Sequence, residues 1–429
     1  MDEGRINTAE KAVLVGLGSG ALPPEQSSDE ECLEELAALL ETAGGECVAK
    51  VLQQRDRPDP RTLIGQGKLR EVRELAENLG AELILFDNEL SASQIRAIEK
   101  DVGIRVIDRS NLILDIFAQR ARTSEGRLQV ELAQYKYILP RLTGMWSHLV
   151  RQTASGGKSP IGTRGPGETQ LETDRRHIRK RIQILESELE RVRRIRAVQR
   201  GRRIKNEIPV VALVGYTNAG KSSLLNALTG ACVEANDRLF DTLDTTTRRL
   251  TVSDTLEVLL SDTVGFIRKL PHHLVEAFRA TLEELRFADL LLHVIDASDP
   301  EWPGKSQVVY SLIRQLGAEN IPLIEVFNKA DLVPVSDVPM RRGRVMVSAK
   351  EGSGLDKLLP EIESALSGAK KRVNLRIPYR EARVIENLYR EAQVNALDYK
   401  DDYIEADITC TPKAYGLFKK YLAGELPDG

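Results

Sequence analysis

The chain has 429 residues, of which 41% are hydrophobic and 29% charged, with a formal net charge of -3 at pH 7. That length exceeds what one core usually supports, so about two to four domains are expected, in a composition typical of soluble globular proteins. No run of about 18 apolar residues occurs and the start MDEGRINTAEK is polar, which argues against a membrane span or a secretory signal, while Cys32, Cys47, Cys232 and Cys410 lack CxxC spacing and so argue against a zinc site or disulfide frame and for a reducing cytosol.

Residues 1–120 read as a small α/β domain. Ala12–Leu17, Glu46–Gln53, Leu83–Phe86 and Ile104–Ile107 are strand-like, and Asp29–Ala43, Gly67–Asn78 and Ser91–Lys100 are helical, alternating as a parallel sheet requires. The GLGSG at Gly16–Gly20 invites a dinucleotide reading, but Pro23 and Pro24 stand where a helix would open. It is read as a turn.

Residues 121–206 read as a basic helical hairpin. From Gln170 to Lys205 there are 13 Lys or Arg against 5 Asp or Glu, an excess of eight positive charges in a chain that is acidic overall. Ile178, Ile182, Leu185, Leu189 and Val192 follow one another at steps of 4, 3, 4 and 3, the apolar seam of a helix that must pack on another. The expected partner is Leu128–Val150, with Leu128, Leu132, Tyr135, Leu139 and Leu142 at similar spacing and a kink at Pro140. Between them TASGGKSPIGTRGPGET is expected to form a flexible tip. A basic hairpin of this kind suits a phosphate-rich groove. With no helix-turn-helix or zinc-finger pattern and few aromatics for stacking, structured RNA fits better than duplex DNA, through Lys158, Arg164, Arg175, Arg176, Arg179 and Arg181.

Residues 207–368 carry the clearest chemistry. Gly215, Tyr216, Thr217, Asn218, Ala219, Gly220, Lys221 and Ser222 spell GxxxxGKS directly after the apolar run Ile208–Val214, the strand-then-loop setting of a phosphate-binding P-loop. The glycines let backbone amides close around phosphate oxygens, Lys221 can reach the β and γ phosphates, and the Ser222 hydroxyl can ligate Mg²⁺. After Leu256–Leu260 come Asp262, Thr263, Val264 and Gly265, a DxxG whose aspartate can hold Mg²⁺ through water while the Gly265 amide faces the γ-phosphate. After IPLIEVF come Asn328, Lys329, Ala330 and Asp331. The Asp331 carboxylate can accept from the N1 and exocyclic amine of guanine, a donor pair adenine lacks. After RVMV come Ser348, Ala349 and Lys350, whose backbone can meet the guanine carbonyl.

Between Phe240 and Arg249 the sequence FDTLDTTTRR offers four threonines, any of which could give a second hydroxyl to Mg²⁺, and spacing does not choose among them. Phe266 stands where many GTPases carry the glutamine that orients the attacking water, so the catalytic group is unassigned and slow intrinsic turnover is expected. Residues 369–429, alternating strand-like and helix-like runs from Val373 to Tyr421, read as a small C-terminal α/β domain. The fold class is thus α/β: a P-loop, Ras-like GTPase domain preceded by a small α/β domain and a helical hairpin and followed by a small C-terminal α/β domain.

Three segments together carry a family resemblance. GTRGPGETQLETDRRHIRKRI from Gly162 to Ile182, LIGQGKLREV from Leu63 to Val72 and LPRLTGMW from Leu139 to Trp146 resemble HflX, a family of bacterial GTPases of the translational superfamily. The resemblance covers the N-terminal domain, the hairpin and the GTPase domain. It implies that Phe240, Asp241, Thr242, Leu243 and Asp244 contribute to the GTP site, with Thr242 on Mg²⁺, and that a hydrophobic residue at Phe266 is normal. The chain departs from the family at Asp241 and Thr245, where a small residue and a proline are usual. The resemblance further implies GTP as substrate, with ATP tolerated, and a monomer that binds the large ribosomal subunit and its rRNA. Dissociation or rescue of stalled ribosomes under stress would follow, in the cytoplasm or peripherally at the membrane through ribosomes. Assembly or storage of large subunits is the alternative.

Overall fold

A computed structural model describes residues 9–23, 26–142, 166–205, 208–231, 239–240, 246–253, 256–269, 283–334, 343–368, 371–381, 384–400, 402–410 and 418–422. The first unit is a parallel sheet of order β2-β1-β3-β4, formed by β1 (Lys11–Gly18), β2 (Glu46–Gln54), β3 (Leu83–Phe86) and β4 (Arg105–Asp108). Helices cover both of its faces, which is why its central strands are apolar without alternation. Ala12 and Leu14 of β1 face one cluster, and Val13, Val15 and Leu17 face the other. The helices are α1 (Glu30–Thr42), α2 (Gln66–Leu79), α3 (Ala92–Val102) and α4 (Arg109–Arg120). Polar caps start three of them: Asp29 accepts from the Cys32 amide at 2.7 Å, Ser91 and Gln94 form a capping box, and Asp108 accepts from the Asn111 amide at 3.0 Å.

The hairpin follows as α5 (Ser124–Ile138) and the 40-residue α6 (Pro166–Lys205). Leu132, Leu185 and Leu189 are buried between the two, with Leu128, Tyr135 and Ile182 around them, so the seam is where the spacing puts it. Its ends differ from the sequence expectation. α5 starts at Ser124 because Thr123 caps the Gly126 amide at 2.9 Å, and at Pro140, which has no amide to donate, the helix gives way to a 3-10 turn over Leu139–Arg141. The second helix begins at Pro166, so the PGET end of the expected flexible tip is helical. A proline costs nothing at the first helical position.

The unit that carries the P-loop is a six-stranded sheet of order β10-β9-β8-β5-β7-β6. It comprises β5 (Val210–Gly215), β6 (Thr246–Ser253), β7 (Leu256–Asp262), β8 (Leu290–Asp296), β9 (Leu323–Asn328) and β10 (Arg344–Met346), with only β6 antiparallel to its neighbour. Packed on it are α7 (Lys221–Thr229), α8 (Trp302–Gln315) and α9 (Leu355–Gly368). One apolar cluster runs without a break from Leu36, Ile113 and Phe117 of the first unit into Val214, Tyr216, Phe240, Phe266 and Val309 of this one. Phe117 and Phe240 meet edge to face at 4.8 Å. The chain ends in an antiparallel sheet of order β11-β13-β12, from β11 (Lys371–Pro378), β12 (Ala392–Tyr399) and β13 (Tyr403–Cys410), with α10 (Val384–Glu391) between β11 and β12 in sequence. Leu375, Ile377, Ile404, Ala406 and Ile408 pack there against Leu388, Phe418 and Tyr421. Among the described residues no helix is long and apolar enough to cross a membrane.

Candidate nucleotide site

The carboxyl ends of β5, β7, β9 and β10 bring the P-loop, DTVG, NKAD and SAK segments to one edge of the sheet, where a parallel sheet opens its ligand crevice. The P-loop leaves β5 at Gly215, where an added Cβ would collide with the Val294 carbonyl, and bends through left-handed Asn218 (φ 62°) and Gly220 (φ 88°) into α7. The first amides of α7 have no partner within the helix and form an anion-binding end. Lys221 is buried, with its Nζ donating to the carbonyls of Tyr216 at 2.8 Å and Gly215 at 3.2 Å. Burial lowers its pKa to about 8, against the opposing pull of Asp262.

The Ser222 hydroxyl donates to Asp262 Oδ2 at 2.7 Å, and Asp262 is fully buried at the end of β7. Two hard oxygen donors side by side at the phosphate end suit Mg²⁺. Thr263 turns inward and donates to the Leu213 carbonyl at 2.6 Å, which leaves the loop backbone to face the phosphates. Gly265 sits so close to the P-loop that a Cβ there would lie 2.7 Å from Thr217 Cγ2 and 3.2 Å from Lys221 Nζ. The Phe266 ring is 1% exposed; its amide donates to the Gly215 carbonyl at 3.1 Å, and its carbonyl accepts from the Thr217 amide at 2.8 Å.

At the base end, Asn328 is buried and holds two loops: its Nδ2 donates to the Ala219 carbonyl and its Oδ1 accepts from the Ala349 amide, both at 3.0 Å. Lys329 is left-handed (φ 62°), with its Nζ 2.6 Å from Asp296. Asp331 accepts from the Ser348 hydroxyl at 2.6 Å, and that bond holds its carboxyl below the usual range. Ala330 donates its amide to the Val347 carbonyl, and Lys350 is exposed beside Ala349.

Of the switch candidates, Phe240 is left-handed (φ 56°) and buried against Phe117; Asp241, Thr242, Leu243 and Asp244 lie outside the described residues. Lys158 and Arg164 lie outside them too. Arg176 and Arg179 are exposed on α6, Arg175 is half-buried, and Arg181 turns toward α5 to pair with Glu131 at 2.7 Å. Sequence reasoning missed a set of first-domain residues that reach the nucleotide site. Glu35 accepts from the Tyr216 hydroxyl, and Arg109 donates to the Arg268 carbonyl at 3.1 Å. These are single charges outside any motif, so no local signal could have found them.

The chain is similar to known proteins over most of its length. The family described as "GTP-binding GTPase N-terminal" matches residues 30–118, "GTP-binding GTPase Middle Region" residues 120–203, and "50S ribosome-binding GTPase" residues 210–329. The chain is 49% identical over 407 residues to "GTPase HflX" of Caldanaerobacter subterraneus subsp. tengcongensis, covering 94% of this chain and 92% of that one. It is 46% identical over 392 residues to "GTPase HflX" of Escherichia coli, covering 90% of each. Among solved structures, a GTP-binding protein from Sulfolobus solfataricus in complex with GDP aligns with a TM-score of 0.43 at 23% identity, over 84% of this chain and 99% of that one.

Proposed function

The chain belongs to the HflX family of GTPases and is a GTP hydrolase, and from that premise we propose that it binds the large ribosomal subunit through its basic hairpin and uses GTP binding and hydrolysis to dissociate or rescue stalled ribosomes under stress. The observation that carries this reading is the outward face of α6. Arg176, Lys180, Arg191 and Arg194 are all exposed and fall within about 60° of one another around the helix, opposite the buried Leu185 and Leu189. They extend over about 27 Å, a length and charge suited to successive phosphates of structured RNA. In this reading the protein acts as a cytoplasmic monomer, and any place at the membrane comes through ribosomes.

The roles at the nucleotide site follow from its chemistry. The P-loop from Gly215 to Ser222 cradles the phosphates, with Lys221 meeting the β and γ oxygens. Ser222 and, by resemblance to the family, Thr242 would hold Mg²⁺ with support from Asp262, and the metal when bound would neutralise phosphate charge. Gly265 offers its amide to the γ-phosphate, Asp331 reads guanine, and Ser348–Lys350 close over the base. The Phe240–Asp244 segment completes the pocket. ATP enters the same phosphate cradle without the Asp331 contact, so it binds more weakly. GTP would order the loops near the γ-phosphate and hydrolysis would release them.

Sedimenting intact ribosomes after incubation with the protein and a non-hydrolysable GTP analogue tests the reading. Release of separate subunits supports it. Co-sedimentation with free large subunits, with no splitting, would point instead to assembly or storage with the nucleotide as a timer.

A further inference from the structure

Three hydroxyls around the phosphate end of the site are already engaged. Thr263 donates to the Leu213 carbonyl at 2.6 Å, Ser222 to Asp262 at 2.7 Å, and Tyr216 to Glu35 of α1. Thr217 differs from all of them. It is only 6% exposed, and its Oγ1 is buried with no hydrogen-bond partner among the described residues. Most buried side-chain polar atoms have a partner, and a catalytic role is one of the few physical reasons for a chain to keep one without.

The backbone fixes where Thr217 stands. Its amide donates to the Phe266 carbonyl at 2.8 Å and the Phe266 amide donates to the Gly215 carbonyl at 3.1 Å, so Tyr216 and Phe266 pair as an isolated parallel bridge. That bridge sets the Thr217 side chain beside Gly265, where a Cβ on the glycine would meet Thr217 Cγ2 at 2.7 Å and Lys221 Nζ at 3.2 Å. Thr217 therefore borders both groups assigned to the γ-phosphate, the Gly265 amide and the Lys221 ammonium. Its methyl is the branch nearer Gly265, and a turn of about 120° about χ1 exchanges methyl and hydroxyl between staggered positions. Since Oγ1 has no partner among the described residues, that turn breaks no hydrogen bond there.

We propose that Thr217 is a catalytic residue of GTP hydrolysis, whose hydroxyl holds the attacking water in line with the γ-phosphate, the task for which the Phe266 side chain has no polar group. A hydroxyl accepts from one partner while donating to another. Oγ1 accepts from the water and donates to a γ-phosphate oxygen, so one β-branched side chain, stiff about χ1, holds nucleophile and target together. In the step itself the water oxygen bonds to the γ-phosphorus as the bond from that phosphorus to the β–γ bridging oxygen breaks. The electron pair of the broken bond leaves on GDP, both protons of the water pass to the released phosphate, and Thr217 ends the turnover unchanged.

The proposal rests on the nucleotide-site reading, and the test separates the two. Thr217→Val keeps the branched, buried shape and removes the hydroxyl, whereas Thr217→Ser keeps the hydroxyl and removes the methyl. GTP hydrolysis over a range of substrate concentrations and titration with a fluorescent GDP analogue are measured on the full chain. Thr217→Val should lower kcat at least about tenfold, since a reacting atom misplaced by about 1 Å costs on the order of a hundredfold, with KM and GDP affinity within about twofold of wild type. Thr217→Ser should keep most of the rate. Should Thr217→Val fail to fold, Thr217→Ala measured against Thr217→Ser decides in its place. An unchanged kcat in the folded variant without the hydroxyl overturns the role. So does a KM or GDP affinity that worsens as much as kcat, because the hydroxyl then serves binding, and so does a Thr217→Ser protein as slow as Thr217→Val, because the loss then follows the methyl. Loss of GDP binding in the wild-type chain would undo the site reading itself.

Discussion

Asn328 Nδ2 donates to the Ala219 carbonyl at 3.0 Å, so the residue that opens the NKAD motif holds the phosphate loop rather than standing apart at the base end. Its other amide atom accepts from Ala349 at 3.0 Å, which makes one buried side chain the strut among three motif loops. Asn328→Ala should orphan two buried backbone groups and cost about 2 kcal/mol or more of stability, since each such group costs about 1–3 kcal/mol. GTP affinity should fall more than tenfold because the loops lose their mutual register. Urea midpoints and a fluorescent-nucleotide titration check both; an unchanged affinity would mean that the loops register without the strut.

Asp331→Asn should shift preference from guanine toward xanthine, because the amide can donate to the xanthine carbonyl where the carboxylate accepted from guanine. The Ser348 hydroxyl, 2.6 Å away, can donate to the new carbonyl as it did to the carboxylate, so folding should survive. The ratio of GTP to XTP affinities in wild type and variant is the measurement, and an unaltered ratio would remove Asp331 from base recognition.

Lys221 gives the nucleotide affinity a pH dependence of defined sign. Burial lowers its pKa to about 8, while bound phosphates favour the protonated form. Below pH 8 the proton is already present; above it, binding must take one up, so affinity should fall as pH rises through 8, by up to about tenfold per unit. The same lowering means that the unfolded chain binds this proton more tightly than the folded one. Stability from this residue therefore rises between about pH 8 and the ordinary lysine value of 10.5. Titrations with a GDP analogue from pH 7 to pH 9.5 should show the decline. Lys221→Ala should bind too weakly to titrate at any of these values, as should Ser222→Ala with GTP and Mg²⁺.

Replacing Arg176, Lys180, Arg191 and Arg194 with Ala should weaken binding to large subunits and flatten its salt dependence by up to about 0.9 log unit per lost phosphate contact. Arg181→Ala should leave that slope alone, because its guanidinium is engaged with Glu131 on the inner side of the hairpin. GDP affinity should be untouched in both. Subunit binding across a series of KCl concentrations would reveal a merely solvated face as a slope that does not change.

Much of this architecture is legible in the sequence because its strands are buried on both faces and end in motifs. VVALVG, LEVLLSD and LIEVFN are short apolar runs, each stopped by residues that only a phosphate or base site requires there. The hairpin seam was legible for a different reason: one face of α6 is apolar and the rest is charged, so the 4-3 spacing stands out. The helix Arg109–Arg120 is not legible, since LILDIF is buried nearly all round and shows no polar stripe to reveal a helical period. Nor could the contacts from Tyr216 to Glu35 and from Lys269 to Asp87 be read, because the first pair are 181 positions apart and the second 182. Thr242, singled out by resemblance, lies outside the described residues.

The 40 residues of α6 make a rod about 60 Å long, and only four residues separate its last turn at Lys205 from the first of β5 at Val210. Such a rod amplifies. A tilt of about 5° at its base sweeps the far end through about 5 Å, close to one helical turn. Movements at the strand that bears the phosphate loop, too small to alter packing there, would thus become displacements on the scale of a nucleotide where the rod's distal end meets its target. Spin labels placed at Arg176 and Arg194 would register that amplification as a larger change at the first position than at the second on exchange of GDP for a GTP analogue.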